Sequence, residues 1–254
     1  MKLDLDKFAH IDSPLRRWDA RWKLAAAAVF VTAVILLRTA QTAVPAVVLA
    51  GALVLLGRMP LREVLHRVKP AAVVVGVVVM VLAITAPGER VAWAGLSWSR
   101  GGLAAGGLVA AKALAVVLAL VALVSSSPTR QIWAAMRRLH VPAGLVQVFH
   151  LAYRYVFVIQ SESRAVQTAM RARGYRAKLN PHNLSVLGNV VGMLLIRSTE
   201  RAERVYLAMQ ARGFDGSFPT LEEWRTRGSD IIKFVLLAGA SAALVAVDFG
   251  LASA

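Results

Sequence analysis

Two stretches of this chain repeat each other at an offset of 39 residues, AVQTAMRARGY at 165–175 and RVYLAMQARGF at 204–214. Val, Ala-Met, Ala-Arg-Gly and a closing aromatic residue coincide in both copies. The chemistry such a motif supports is recognition. Arg173 and Arg212 each carry five donors on a rigid, permanently charged fork. Ala172 and Ala211 are small enough for a partner's backbone to come close. Met170 and Met209, one turn earlier, supply adaptable apolar contact. A single Ala-Arg-Gly triplet carries little weight, because Arg in a last helical turn complements the helix dipole and Gly is the usual stop. Two copies with the same flanks, on the other hand, point to one task performed twice.

Residue types that perform reactions are not assembled in this sequence. No G-x-x-x-x-G-K-[ST] precedes Lys112, Lys178 or Lys233, so the phosphate cradle of a nucleotide hydrolase is absent. The five histidines, His10, His66, His140, His150 and His182, form no H-x-x-x-H or carboxylate cluster, which argues against a metal site and for helix-end or interfacial polar roles. His182, just after Asn180-Pro181, reads as turn chemistry. No nucleophile is paired with a base, which disfavours an intramembrane enzyme such as a lipid-modifying transferase holding phosphate groups on a basic face. A self-sufficient secondary transporter would show mid-membrane ion ligands and inverted repeats, and neither is found. The aromatics Tyr153, Tyr155 and Phe157 cluster with apolar residues instead of alternating with basic ones, so nucleic acid is not an expected partner.

The elements that must carry the repeated tips follow from composition. Of 254 residues, 57% are hydrophobic and none is Cys, while Lys and Arg number 30 against 14 Asp and Glu, for a net charge of +16. That is too apolar for an ordinary soluble domain or for disorder, and it excludes disulfide scaffolds, thiolate metal sites and Cys nucleophiles. Long apolar runs beside basic runs define an integral membrane protein. The first 23 residues hold six Lys/Arg and four Asp with no A-x-A-like site after a short apolar region, so a cleaved signal peptide is not expected.

Five membrane helices are predicted. Leu24–Leu37 and Val44–Leu56 are both short for a span and recruit flanking residues; Pro70–Pro87, Gly101–Val124 and Ile231–Ala254 complete the set. Lys112 lies inside the fourth, where it must meet a neighbouring helix or partner, or snorkel to the interface. Gly102 and Gly106 form a GxxxG suited to close packing, within the chain or against a partner. Asp248 is expected at the outer interface. Gly57–Lys69 carries Arg58, Arg62, Arg67 and Lys69 against Glu63, whereas Pro87–Arg100 carries only Arg90 and Arg100 against Glu89, so the N-terminus and the second connection face the cytoplasm.

Between the fourth and fifth spans, residues 128–230 hold fifteen Lys/Arg and seven acidic residues, a net of +8 that also suits anionic lipid headgroups. The run Gly144–Gln160 is apolar but short, with His150 and Arg154 in its middle, and crossing the membrane there would place the basic residues that follow outside. It is therefore assigned to the cytosol. Ser127-Pro128 opens a short amphipathic helix with Ile132, Met136 and Leu139 on one face; a helix from Ala143 to Arg173 and another after Asn180-Pro181 follow. On the last, Leu184, Leu187, Val191, Leu194, Ser198, Ala202, Val205 and Met209 form one stripe that Gly213 ends. The fold class is thus all-α and membrane-integral. Residues 1–127 are the N-terminal segment and four spans, 128–230 a cytosolic coupling domain, and 231–254 the last span.

With these features together, the chain resembles the CbiQ/EcfT family, the transmembrane T component of energy-coupling factor transporters, in its cobalt/nickel-type branch. The likeness covers nearly the whole chain: LDKFAHIDSPLRRWDARWKL, LVSSSPTRQIWAAMRRLHVP, LAYRYVFVIQSESR and, most specifically, RSTERAERVYLAMQARGFDG with the paired triplets. The resemblance implies a non-catalytic scaffold in a bacterial inner membrane. It implies that Ala172-Arg173-Gly174 and Ala211-Arg212-Gly213 sit in grooves of two ATP-binding-cassette subunits, which bind the ATP and Mg. It also implies a separate membrane capture subunit and a small accessory membrane subunit, with cobalt as cargo and nickel or a vitamin as alternatives.

Overall fold

A computed structural model describes residues 15, 18–86, 90–93, 96–139, 141–176, 180–216 and 227–253. His10, His140 and Lys178 lie outside them, as does most of the N-terminal segment. Among the described residues are eight helices and one small hairpin: α1 (Ala20–Leu36), α2 (Ala40–Leu56), α3 (Leu61–Thr85), β1 (Arg90–Trp93), β2 (Leu96–Ser99), α4 (Arg100–Val124), α5 (Thr129–Arg138), α6 (Ala143–Ala172), α7 (Pro181–Ala211) and α8 (Gly228–Ser253). The chain forms two compact units, one from the described residues of Met136–Glu222, the other from those of Asp4–Ala135 and Glu223–Ala254.

In the second unit α4 lies against α1, α2 and α3, and α8 against α1 and α2. Its core joins Phe30, Val34 and Leu37 to Ala46, Ala50 and Leu53, to Ala115, Ala119 and Leu123, and to Leu237. Alanine at so many buried positions lets helix backbones approach, which is how helices associate where lipid removes the hydrophobic drive. Gly102 and Gly106 act the same way within the chain. A Cβ on Gly102 would stand 2.3 Å from the Leu82 carbonyl oxygen, and one on Gly106 would stand 3.0 Å from a Val79 methyl.

Three helices are long and apolar enough to cross a membrane, within 61–85, 100–124 and 228–251, and α2 is apolar but shorter. The third helix begins at Leu61, nine residues before the expected start at Pro70. Proline removes one helical hydrogen bond but does not end a helix whose other bonds remain, and Val64, buried in the core, anchors the earlier turns. Arg62, Arg67 and Lys69 therefore belong to the helix, not to a loop. The connection after it contains the antiparallel β1–β2 hairpin, with Arg90 opposite Ser99, which the apolar pattern did not announce. Helix α5 starts at Thr129, two residues after the expected cap at Ser127.

Polar side chains lock the helix ends. Asp248, expected at the outer interface, is buried by protein: its carboxylate accepts from the backbone N–H groups of Arg38 (2.7 Å) and Thr39 (2.9 Å) and from the hydroxyls of Thr39 and Thr42 (both 2.6 Å). It supplies the anion that the N-terminus of α2 attracts, since Thr39 makes no side-chain cap of its own. Lys112 Nζ donates to the Ile35 carbonyl at 3.1 Å, so the intramembrane cation meets a neighbouring helix at an otherwise unpaired C-terminal oxygen. At the end of α4, buried Lys23 Nζ donates to Ser126 Oγ (3.1 Å) and Ser127 Oγ (2.6 Å), while Arg67 donates to Ser125 Oγ. Two cations from different helices thus hold the three serines that join α4 to α5, where the helix dipole favours positive charge.

Candidate functional site

Both repeated motifs terminate their helices by the same backbone device. Arg173 ends α6, and Gly174 follows at φ 79; its N–H bonds the Arg171 carbonyl at 3.0 Å and the Tyr175 N–H bonds the Met170 carbonyl at 3.0 Å. Arg212 ends α7, and Gly213 follows at φ 77, with Gly213 N–H to Gln210 at 2.9 Å and Phe214 N–H to Met209 at 3.0 Å. These crossed pairs are Schellman motifs, which require a left-handed residue where glycine stands and pair an apolar residue beyond it with one three positions before the cap. Helix closure therefore accounts for the Gly, for the aromatic and for Met170 and Met209, all half-buried except the Gly. It does not account for the Ala-Arg pair. Ala172, Arg173, Ala211 and Arg212 are exposed and stay available to something outside the chain.

The repeat extends to the way the two helices meet. Glu162 of α6 accepts from Arg201 (3.1 Å) and Arg197 (3.4 Å) of α7. Glu162 and Arg201 are themselves equivalent under the 39-residue offset, and each tip lies eleven residues further on, about 17 Å of helix. A contact at equivalent points, with equal arms beyond it, is what a two-fold repeat produces. Half-exposed ion pairs contribute at most about 1 kcal/mol each, so they set register more than stability.

On one side of this meeting point, Leu151, Tyr155 and Ile159 face Ser198, Ala202, Val205, Met209 and Phe214 across a largely apolar cavity of about 360 Å³. Only the second half of the predicted α7 stripe is used in this way. Leu184, Leu187 and Val191 remain exposed, and α7, 31 residues long, has no buried residue at all.

The two tips have different surroundings. Arg212 and Gly213 border a second cavity of about 670 Å³ together with His150, Arg154 and Asp215. His150 and Arg154, whose polarity argues against a span, stand four residues apart, a spacing that puts both on one helix face. Side-chain amides pin the chain beyond each tip: Asn183 Nδ2 donates to the Arg176 carbonyl at 2.9 Å, and Gln147 Nε2 donates to the Gly216 carbonyl. His182 lies in the first turn of α7, not in the preceding turn. Among the described residues no three His, Asp or Glu side chains gather into one group.

Several membrane-length helices, with a helix pair presenting duplicated, exposed Arg ends, define a multi-pass membrane protein whose distinctive surface is built for contact. The family profile described as cobalt transport protein CbiQ matches residues 12–223. The chain belongs to this family and is a transmembrane component of a transporter. It is 26% identical over 235 residues to the energy-coupling factor transporter transmembrane protein EcfT of Limosilactobacillus fermentum, covering 87% of this chain and 86% of that one. It is 32% identical over 124 residues to the cobalt transport protein CbiQ of Rhodobacter capsulatus, about half of each chain (49% and 50%). It is 26% identical over 107 residues to the nickel permease LarQ of Lactiplantibacillus plantarum, 42% of this chain and 38% of the relative.

Proposed function

We propose that this chain is the coupling scaffold of an ATP-driven importer of the energy-coupling factor type. It joins two ATP-binding-cassette subunits, which bind ATP and Mg and perform hydrolysis, to a substrate-capture membrane subunit and a small accessory one. The observation that carries the reading is the pair of tips: two identically closed helix ends, each leaving an Ala-Arg pair that its own fold does not need. Closure of the ATPases moves the tips, and the long helices pass that motion towards the capture subunit. On this reading residues 128–230 are the coupling domain and lie with the N-terminus on the cytoplasmic side of a bacterial inner membrane, as the basic excess favours.

Cobalt ion is the cargo the reading favours, supported by the names of the family and of the Rhodobacter relative; likeness to a nickel permease makes nickel the second reading. The test is the reconstituted complex with Arg173→Ala/Arg212→Ala. The expected result is loss of ion uptake and of its dependence on ATP, with the membrane partners still bound. Uptake and hydrolysis equal to wild type refute the coupling role, and competition between Co²⁺ and Ni²⁺ in the same vesicles decides the cargo.

A further inference from the structure

The described chain leaves the second unit after Ala135 and re-enters it with the residues that open α8. Both of these crossings are tied to the first turns of one helix, α1, and every contact involved lies within the second unit. On the outgoing side, Lys23 Nζ donates to Ser126 Oγ and Ser127 Oγ, and Ser126 Oγ donates on to the Leu123 carbonyl at 3.2 Å, in the last turn of α4. On the returning side, the Trp18 ring N–H donates to the Asp230 carbonyl at 3.1 Å, and the Trp22 and Phe234 rings meet with centroids 5.1 Å apart. Asp230 belongs to the same joint, its carboxylate accepting from the Arg227 N–H at 3.2 Å. Lys23, Trp18 and Asp230 are all buried.

Stability alone does not call for a lysine at this position. An apolar side chain would fill the space without desolvating an ammonium, and a cation in the first turn of α1 opposes that helix's own dipole. What Lys23 adds is direction, because charge-assisted hydrogen bonds fix one register between α1 and the end of α4. Elsewhere the unit is held by alanine seams, with Ala46, Ala50, Ala115 and Ala119 in its core, and such apolar contacts are non-directional. Helices packed in that way slide past one another by small amounts. A displacement that arrives along the chain is passed on where it meets contacts that resist sliding, and coupling runs through such contiguous packed and hydrogen-bonded groups.

Resting on the coupling reading above, we infer that Lys23 and Trp18 are positioning residues for transport: by pinning both crossings of the chain to α1, they make that helix the element through which movement of the coupling domain reaches the membrane helices.

The experiment uses the full chain reconstituted in vesicles with its ATPase and membrane partners and reads ions taken up per ATP hydrolysed, with Co²⁺ as the probe, or Ni²⁺ where the wild type takes up that ion instead. A merely structural defect lowers the amount of working complex and leaves this ratio alone. Lys23→Met, with the complex assembled and hydrolysis retained, is expected to lower the ratio by about tenfold. Trp18→Phe keeps an aromatic ring, loses one hydrogen bond and is expected to lower it by about threefold. Gly106→Ala, which strains the packing of α3 on α4 at the other end of α4, is expected to keep the wild-type ratio. If Lys23→Met fails to assemble, Ser127→Ala, which leaves Ser126 as an acceptor, takes its place with the same direction of change. Wild-type ratios in both the Trp18 and the Lys23 or Ser127 variants, or an equal fall in Gly106→Ala, overturn the inference while leaving the coupling role intact. Uptake by the wild-type complex that does not depend on ATP overturns the coupling role and this inference with it.

Discussion

The tightest constraint in the membrane unit is at Gly102, and substituting it tests whether α3 and α4 pack as described. An alanine there would bring its Cβ to 2.3 Å from the Leu82 carbonyl oxygen, 2.9 Å from the carbonyl carbon and 3.0 Å from the Ala83 Cα. All three are backbone atoms and none can rotate away. Regaining ordinary contact requires the helices to part by about 1 Å, which forfeits much of the close-range attraction along the seam. Overpacking of this kind costs about 1–3 kcal/mol. Gly107, five residues along the same helix, has nothing within 4 Å of its would-be Cβ. There alanine only improves helix propensity, by about 0.5–1 kcal/mol. The two variants should thus differ by about 2–4 kcal/mol, or about 8 °C in unfolding midpoint at the sensitivity usual for this chain length. Thermal unfolding of the purified protein in mild detergent measures the gap. A Gly102→Ala protein as stable as Gly107→Ala would refute the packing argument, and Gly106→Ala, which meets mainly a rotatable Val79 side chain, should fall between them.

Three further outcomes follow from the polar contacts and from the absence of Cys. Asp248→Ala strands two backbone N–H groups and two hydroxyls and should cost about 2–4 kcal/mol of stability by the same melting assay; Asp248→Asn, which keeps one acceptor, should lose less. Lys23→Met fills the same space without its bonds to Ser126 and Ser127, so amide exchange around 125–129 should quicken about tenfold, equivalent to about 1.4 kcal/mol, with α2 unchanged. Single cysteines introduced at Arg173 or Arg212 are the only thiols in the protein and should be labelled from the cytoplasmic side alone, while one at Arg90 should be labelled from outside; the reverse pattern refutes the proposed orientation.

Much of the molecule is legible in its sequence because membrane helices and helix stops obey short-range rules. Apolar runs locate α2, α4 and α8 to within a few residues, and the two glycine stops fall at Gly174 and Gly213 because only a left-handed residue closes a Schellman turn. What sequence alone misses depends on distant partners. Pro70 looks like a helix start because propensity is local, whereas the burial of Val64 that carries the helix back to Leu61 is a tertiary fact. The partners of Asp248 could not be read from its neighbours in the chain, since Thr39, which donates to it, is 209 residues away. The acceptor of Lys112 is likewise distant, the Ile35 carbonyl 77 residues earlier.

The repeat itself is the clearest case of structure dividing what sequence presents whole. Read as letters, Met, Ala, Arg, Gly and the aromatic all seem equally part of a recognition motif. In three dimensions the Met, Gly and aromatic are assigned to closing the helix, which leaves Ala and Arg as the exposed residues whose side chains take no part in that closure. The same separation explains why the tips can diverge around them. Positions that need a left-handed or an apolar residue are bound to their residue type, whereas Arg171 and Gln210 enter the closure only through their backbone carbonyls and Arg176 and Asp215 lie beyond it. The chain thus keeps one backbone closure at both helix ends while the side chains around it differ, Arg171 and Arg176 at the first standing where Gln210 and Asp215 stand at the second.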